Sequence, residues 1–173
     1  MLVLCAEGED IKWHKTLEDS AKESQDKGGI GIAVHPFYKG GIGHALRENT
    51  KLLEYLAAIE VFNAQAELWL PFLTPRNANR QAREFYEEVR RDYDLGMCAF
   101  TDGHNEKLIG RSYTLIPQVI VETSGDVRSS LDAGIREVED DSCLAMVPNK
   151  LGALKHAFEL VVWNKLFPIK HES

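Results

Sequence analysis

Short apolar runs alternate with segments of helical periodicity through the first hundred residues of the chain. Leu2 to Ala6 is the first apolar run and predicts a strand. Thr16-Leu17-Glu18-Asp19 predicts a helix start, with Thr16 as N-cap and acids in the first turn. Gly28-Gly29 ends that helix, and Ile30 to Val34 reads as a second strand. A glycine-bearing loop, Lys39-Gly40-Gly41, leads into a helix expected over His44 to Tyr55. Ala57 to Phe62 is the third strand, followed by a polar loop with Pro71, Pro75, Asn77 and Asn79. Ala82, Phe85, Tyr86 and Val89 then recur at helical spacing among charges, the clearest helix in the chain. Gly96 breaks it, and Met97 to Thr101 is the fourth strand.

Strands with little internal alternation, separated by helices, predict an α/β fold with a parallel sheet covered on both faces. Beyond residue 112 the pattern changes. Tyr113 to Glu122 predicts one more strand, bent at Pro117. Ser124 to Ile135 reads as a helix, followed by an acidic loop through Glu139-Asp140-Asp141. Leu151 to Phe167 is an apolar-rich helix carrying Trp163, suited to the core or to an oligomer contact. With no linker or repeat, residues 1–173 read as one domain: a barrel-like part over 1–112 and an extension over 113–173 packed on it.

Composition narrows the classes. The 173 residues are 44% hydrophobic and 27% charged, ordinary for a soluble globular domain. A formal charge of -7 argues against a broad nucleic-acid surface or an anionic membrane as partner. Nothing resembles a membrane span or a targeting leader, so a cytoplasmic protein is expected. Cys5, Cys98 and Cys143 lack metal-like spacing and are expected to be reduced residues in or near the core.

Candidate chemistry gathers where strands end. Ligands in parallel α/β folds lie at the carboxyl ends of strands, and His35, Asn63, Asp102 and His104 all follow such ends. Asp102 and His104 stand two residues apart, which in extended backbone points them to one side. A carboxylate and an imidazole joined by His35 from a neighbouring strand begin a metal site. The alternative for His35 is a satisfied core histidine, and for Asp102 a cap on a helix or loop. Glu60, inside an apolar strand, requires a partner and is expected to hold a structural hydrogen bond or ion pair. Asn63 is expected to orient a loop. Lys107 and Arg111 suit either a phosphate or solvent.

Four pieces in order carry a resemblance. Gly28-Gly29-Ile30-Gly31-Ile32-Ala33-Val34-His35-Pro36, Ala58-Ile59-Glu60-Val61-Phe62-Asn63, Thr101-Asp102-Gly103-His104 and the following Ile109-Gly110 resemble segments of the PHP family. These are the polymerase and histidinol phosphatase metal-dependent phosphoesterases. Arg111 to Ile135 is similar to a tail behind some PHP domains, so the resemblance covers about residues 1 to 135. It implies the later part of a distorted (β/α)7 barrel. It also implies a divalent metal site, of zinc, manganese or iron, held by Glu7, His35, Asp102 and His104, with Asp102 and His104 central to catalysis. Glu9 is an alternative to Glu7, and His14 is a weaker match to a further family histidine. Lys107 and Arg111 would contact a phosphorylated small molecule.

The chain departs from that family in having no His-x-His pair. A full trinuclear cluster is therefore not expected, and the chain matches only the barrel's second half. Exposed strand edges would need cover from residues 136–173, from a second copy or a partner chain completing the barrel, or from further sequence if the chain is a fragment of a longer protein. Two functions follow: a metal-dependent phosphoesterase that activates water against a phosphate ester, or a catalytically inactive PHP-derived binding or assembly module. An amidohydrolase-like piece ranks behind both, since no lysine stands where such sites bridge their metals.

Overall fold

The computed structural model describes residues 1–6, 16–38, 40–66, 77–103, 109–110, 112–116, 126–140 and 143–145. Within them the chain is mixed α/β. Strands β1 (Leu2–Leu4), β2 (Ile30–Ala33), β3 (Ala58–Asn63) and β4 (Gly96–Phe100) form one sheet in that spatial order. Helix α1 (Leu17–Asp26) precedes β2, α2 (Gly43–Glu48) follows it, α3 (Ala78–Val89) precedes β4, and α4 (Val127–Arg136) comes later. A two-stranded ribbon, β5 (Ser112–Thr114) with β6 (Cys143–Ala145), packs beside β4.

The sheet is parallel through β2, β3 and β4, as expected, but β1 runs antiparallel to β2. Leu2 lies opposite Ile32 and Leu4 opposite Ile30, so β1 ends at the amino-terminal edge of β2. The expectation of a wholly parallel set is corrected here. A three-residue apolar run reads the same in either direction, and a reversed edge strand on a parallel sheet is common.

Alternation divides the core between two faces. Ile59, Val61 and Met97 pack with Phe37, Leu46, Leu53, Phe85 and Val89 on the face covered by α2 and α3. Ile30, Ile32, Ala58 and Cys98 pack with Ile135 of α4 on the other. Burying an aliphatic or aromatic side chain contributes about 1.5–3 kcal/mol, and the strand residues in both sets are almost fully enclosed. Gly96, at the start of β4, lies directly under α4. Arg136, at the end of α4, donates to the carbonyls of Asp94 and Leu56 and pairs with Asp132. The chain thereby ties the amino-terminal edge of the sheet to one helix.

Helix boundaries follow their caps. Thr16 caps α1 as expected, its Oγ1 accepting from Asp19 N at 3.1 Å. α4 begins later than expected because Asp126 takes the backbone N–H groups of Arg128 and Ser129, at 3.1 and 3.2 Å. The helix expected over 44–55 is broken. α2 stops at Glu48, and a 3₁₀ turn runs from Thr50 to Tyr55. Asn49 and Thr50 are weak helix formers, and the tighter turn buries both Leu52 and Leu53. Asn79, expected in a loop, sits in the first turn of α3.

Of the strand expected over 113–122, Tyr113 and Thr114 belong to β5, which pairs antiparallel with β6, Leu115 and Ile116 lie beyond the strand, and 117–122 lie outside the described residues. Pro117, Asp141 and the helix expected over 151–167 lie outside the described residues. Among the cysteines, Cys98 is buried and Cys143 half-buried, but Cys5 is exposed, contrary to expectation. β1 ends before it, and Cys5 turns outward at φ 56°. No helix among the described residues is long and apolar enough to cross a membrane.

Side-chain hydroxyls join β5 to β4. Thr114 Oγ1 accepts from Ala99 N at 2.9 Å and donates to Ala99 O at 3.2 Å. Thr101 Oγ1 reciprocates, accepting from Ser112 N at 3.0 Å and donating to Ser112 O at 2.8 Å. Two hydroxyls thus satisfy four backbone groups at the edge of the sheet. Thr114→Val keeps the shape but removes one clasp, leaving Ala99 N–H and C=O without a partner. A loss of about 1–3 kcal/mol is expected, read as a lower urea midpoint at unchanged slope.

Candidate functional site at the carboxyl edge of the sheet

β2, β3 and β4 deliver polar residues to one edge, and a bulge in β3 decides how they meet. Glu60 pairs in register with Cys98, but Phe62 pairs with Ala99, so Val61 is the extra residue. Residues three apart on a regular strand point to opposite faces. The bulge brings Glu60 and Asn63 together instead, with Asn63 Nδ2 donating to Glu60 Oε1 at 3.1 Å.

The same amide reaches the next strand. Asn63 Nδ2 also donates to Asp102 Oδ2 at 3.2 Å. Its Oδ1 accepts from Ala66 N at 2.9 Å, which fixes which end of the amide faces the carboxylates. Asn79 clamps this residue from α3: Asn63 N donates to Asn79 Oδ1, and Asn79 Nδ2 donates to Asn63 O, both at 3.0 Å. Glu60 and Asn63 are 1% and 2% exposed, so the amide bridges two carboxylates at the rim of the core.

His35 enters through its backbone. Its N–H donates to Glu60 Oε2, making a chain from His35 through Glu60 and Asn63 to Asp102. His35 holds φ 32°, and Asp102 holds φ 50°. Both lie in the left-handed region, costly for a residue before proline and cheaper for aspartate. The loop after His35 closes tightly. Gly41 approaches so near that a Cβ there would meet His35 O at 2.3 Å and Pro36 O at 2.4 Å. Strain of this kind at strand ends points toward function.

The left-handed turn at Asp102 also corrects an expectation. β4 ends at Phe100, so the alternation that would aim Asp102 and His104 to one side stops before either residue. His104, Glu7, Lys107 and Arg111 lie outside the described residues. Of the expected site residues, His35 and Asp102 are brought to one edge. β1, which leads toward Glu7, ends at the opposite edge of the sheet.

Burial dominates the electrostatics. Desolvation pushes the Glu60 carboxyl up to about 8, with Asp102 adding to the rise. The hydrogen bonds from His35 and Asn63 oppose it without reversing it. Tyr38 is held above its ordinary value by burial and by Asp102. Its ring meets that of His35 edge-on, 5.9 Å between centroids. His35 Nδ1 is buried and has no hydrogen-bond partner.

These features bear on a metal. A buried, unpartnered imidazole nitrogen, and at the same sheet edge a carboxylate that accepts an amide N–H, suit two of the expected donors. Among the described residues, no three His, Cys, Asp or Glu side chains gather closely enough to hold an ion. Completing a site therefore calls for a third donor such as His104.

Glu60 and Asn63 hold the structural hydrogen bonds expected of them, but their direct link to Asp102 depends on a bulge that periodicity does not encode. Sequence reasoning did not distinguish Tyr38 or Gln65, marked only by their closeness to strand ends, and it placed Asn79 in a loop without a role. No protein-family model, curated protein or solved structure matches this chain.

Proposed function

We propose that this chain is a PHP-type, metal-dependent phosphoesterase-like protein acting at the carboxyl edge of its sheet. The supporting observation is the Asn63 amide bridging Glu60 and Asp102, with His35 tied to the same Glu60. On this reading the sheet is the later part of a PHP-like barrel, completed by further chain or by a partner subunit. His35, Asp102 and His104 would hold a divalent ion of zinc, manganese or iron. Such an ion lowers the pKa of bound water and draws charge from a phosphate oxygen.

The chain's own residues set the geometry. Asn63 holds the Asp102 carboxylate by its outer hydrogen bond, and Glu60 holds the backbone turn that presents His35. The half-buried Asp102 carboxylate, held by this amide, favours a cation beside it. Lys107 and Arg111 neutralise the phosphate by charge-assisted hydrogen bonds.

The test is hydrolysis of p-nitrophenyl phosphate and bis(p-nitrophenyl) phosphate by protein loaded with manganese, zinc or iron(II). Turnover is expected with at least one ion, abolished by chelator, and lowered at least about 100-fold by Asp102→Asn. A folded protein that turns over neither ester with any ion would overturn the enzymatic reading in favour of a binding or assembly module.

A further inference from the structure

Buried polar groups are nearly always hydrogen-bonded, so each exception calls for an explanation. Among the described residues, three buried side-chain polar atoms lack a partner: Ser24 Oγ, His35 Nδ1 and Gln65 Nε2. Ser24 lies against Gly29, at the amino-terminal end of β2. The other two follow the carboxyl ends of β2 and β3, at the edge that carries Asp102. His35 is already placed there as a metal donor. Gln65 Nε2 has no such role, and it is a pure donor.

The backbone around Gln65 fixes it to this edge. Ala64 N donates to Phe100 O at 3.0 Å, two residues before Asp102. Ala66 N donates to Asn63 Oδ1, and the other end of that amide donates to Asp102. Gln65 thus stands at the middle of a turn wound around the side chain that holds the Asp102 carboxylate. The residue as a whole is half-buried, while its Nε2 is enclosed at this edge.

A donor without an acceptor suits a ligand rich in acceptors, such as an oxyanion. An ammonium, a guanidinium or a bare cation would gain nothing from it. We infer that Gln65 contacts the ligand, donating its Nε2–H to an oxygen of a phosphoryl group bound at the carboxyl edge. This rests on the phosphoesterase reading and adds the residue that recognises the phosphoryl oxygen. Gln65 supplies a neutral donor close to Asp102, where a lysine or arginine would form an ion pair with the carboxylate and withdraw it from the metal.

The free protein then carries a penalty that the ligand relieves, and this gives the test its signature. Gln65→Leu removes the unpaired amide, so metal-free protein should gain roughly 2–4 °C in Tm. The same variant, loaded with manganese or zinc, should bind inorganic phosphate about 10-fold more weakly by calorimetric titration. Gln65→Glu keeps the shape and opposes the anion, and should weaken phosphate binding more than Gln65→Leu does. In the wild type, phosphate should shift the Gln65 side-chain amide resonance in a ¹⁵N–¹H spectrum, which requires no variant.

The outcomes separate the two readings. If metal-loaded wild type binds phosphate, and Gln65→Leu and Gln65→Glu bind it equally well, the role of Gln65 is overturned and the metal site stands. An unmoved Gln65 amide resonance at saturating phosphate overturns it too. If the wild type takes up no metal, or takes up metal without binding phosphate, the phosphoesterase reading falls and this inference falls with it.

Discussion

Gly96→Ala is expected to cost at least about 3 kcal/mol of folding stability, enough to leave much of the protein unfolded at 37 °C. Gly96 opens β4, where the strand backbone passes directly beneath the end of α4. A Cβ at this position would meet Ile135 O at 1.8 Å and Ile135 C at 2.8 Å. These are backbone atoms, so no rotamer change relieves the clash. α4 would have to lift, which would expose the buried Ile135 and strain the Arg136 bonds to the carbonyls of Asp94 and Leu56. Gly40→Ala is the control. Its Cβ would meet nothing within 4 Å, so only its φ of 82° opposes substitution, at about 1–2 kcal/mol. Urea melts of the two variants should differ by well over the error of extrapolation. Equal midpoints would mean that α4 does not rest on β4 as described.

The second large effect lies in Glu60 and depends on pH. Its carboxyl rises from an ordinary 4.5 to about 8 in the fold, chiefly through burial. Between those values the folded state keeps a proton that the unfolded state has lost. The unfolded state binds fewer protons, so stability falls as pH rises, and the loss is complete above about 8. At 1.36 kcal/mol per pH unit the full swing is up to roughly 5 kcal/mol. Glu60→Gln removes the titration but offers one acceptor where Glu60 offers two. Its Nε2 would then face either the His35 N–H or the Asn63 amide, both donors. In chelator, the variant should be less stable than wild type at pH 5 by about 1–3 kcal/mol, with the gap closing as pH rises and reversed in sign by about pH 9. Parallel stability curves across that range would contradict the buried, proton-holding carboxyl.

These two positions show what the chain disclosed in advance. The apolar runs at Ile30, Ala57 and Met97 located β2, β3 and β4, because buried parallel strands need continuous hydrophobicity and little else in the chain resembles that. Helix starts were legible at Thr16, whose hydroxyl caps the first turn by a local bond. The direction of β1 was not, since Leu2-Val3-Leu4 carries no polarity to orient it. Gly96 read as a helix terminator, whereas the helix ends at Val89 and the glycine serves a contact with a helix forty residues later. Long-range fit of this kind leaves no local trace in the sequence.

The site divides the same way. His35, Asn63 and Asp102 were legible as residues at strand ends, and the structure brings them to one edge. How they connect was not legible. The extended backbone expected at Asp102 is replaced by a left-handed turn, and the contact between Glu60 and Asn63 requires the extra residue Val61. Both are consequences of pairing between strands, which a one-dimensional pattern of apolar and polar positions does not record.

The central claim is a divalent metal held at the carboxyl edge by His35 and Asp102. It is tested most directly by elemental analysis of protein purified without chelator, for wild type, His35→Ala, Asp102→Asn and His104→Ala. About one zinc, manganese or iron per chain is expected in the wild type. Each substitution should lower that occupancy at least 10-fold, with the fold preserved by circular dichroism. Wild-type protein without metal, even after reconstitution with each ion, or metal retained in all three variants, would contradict the account.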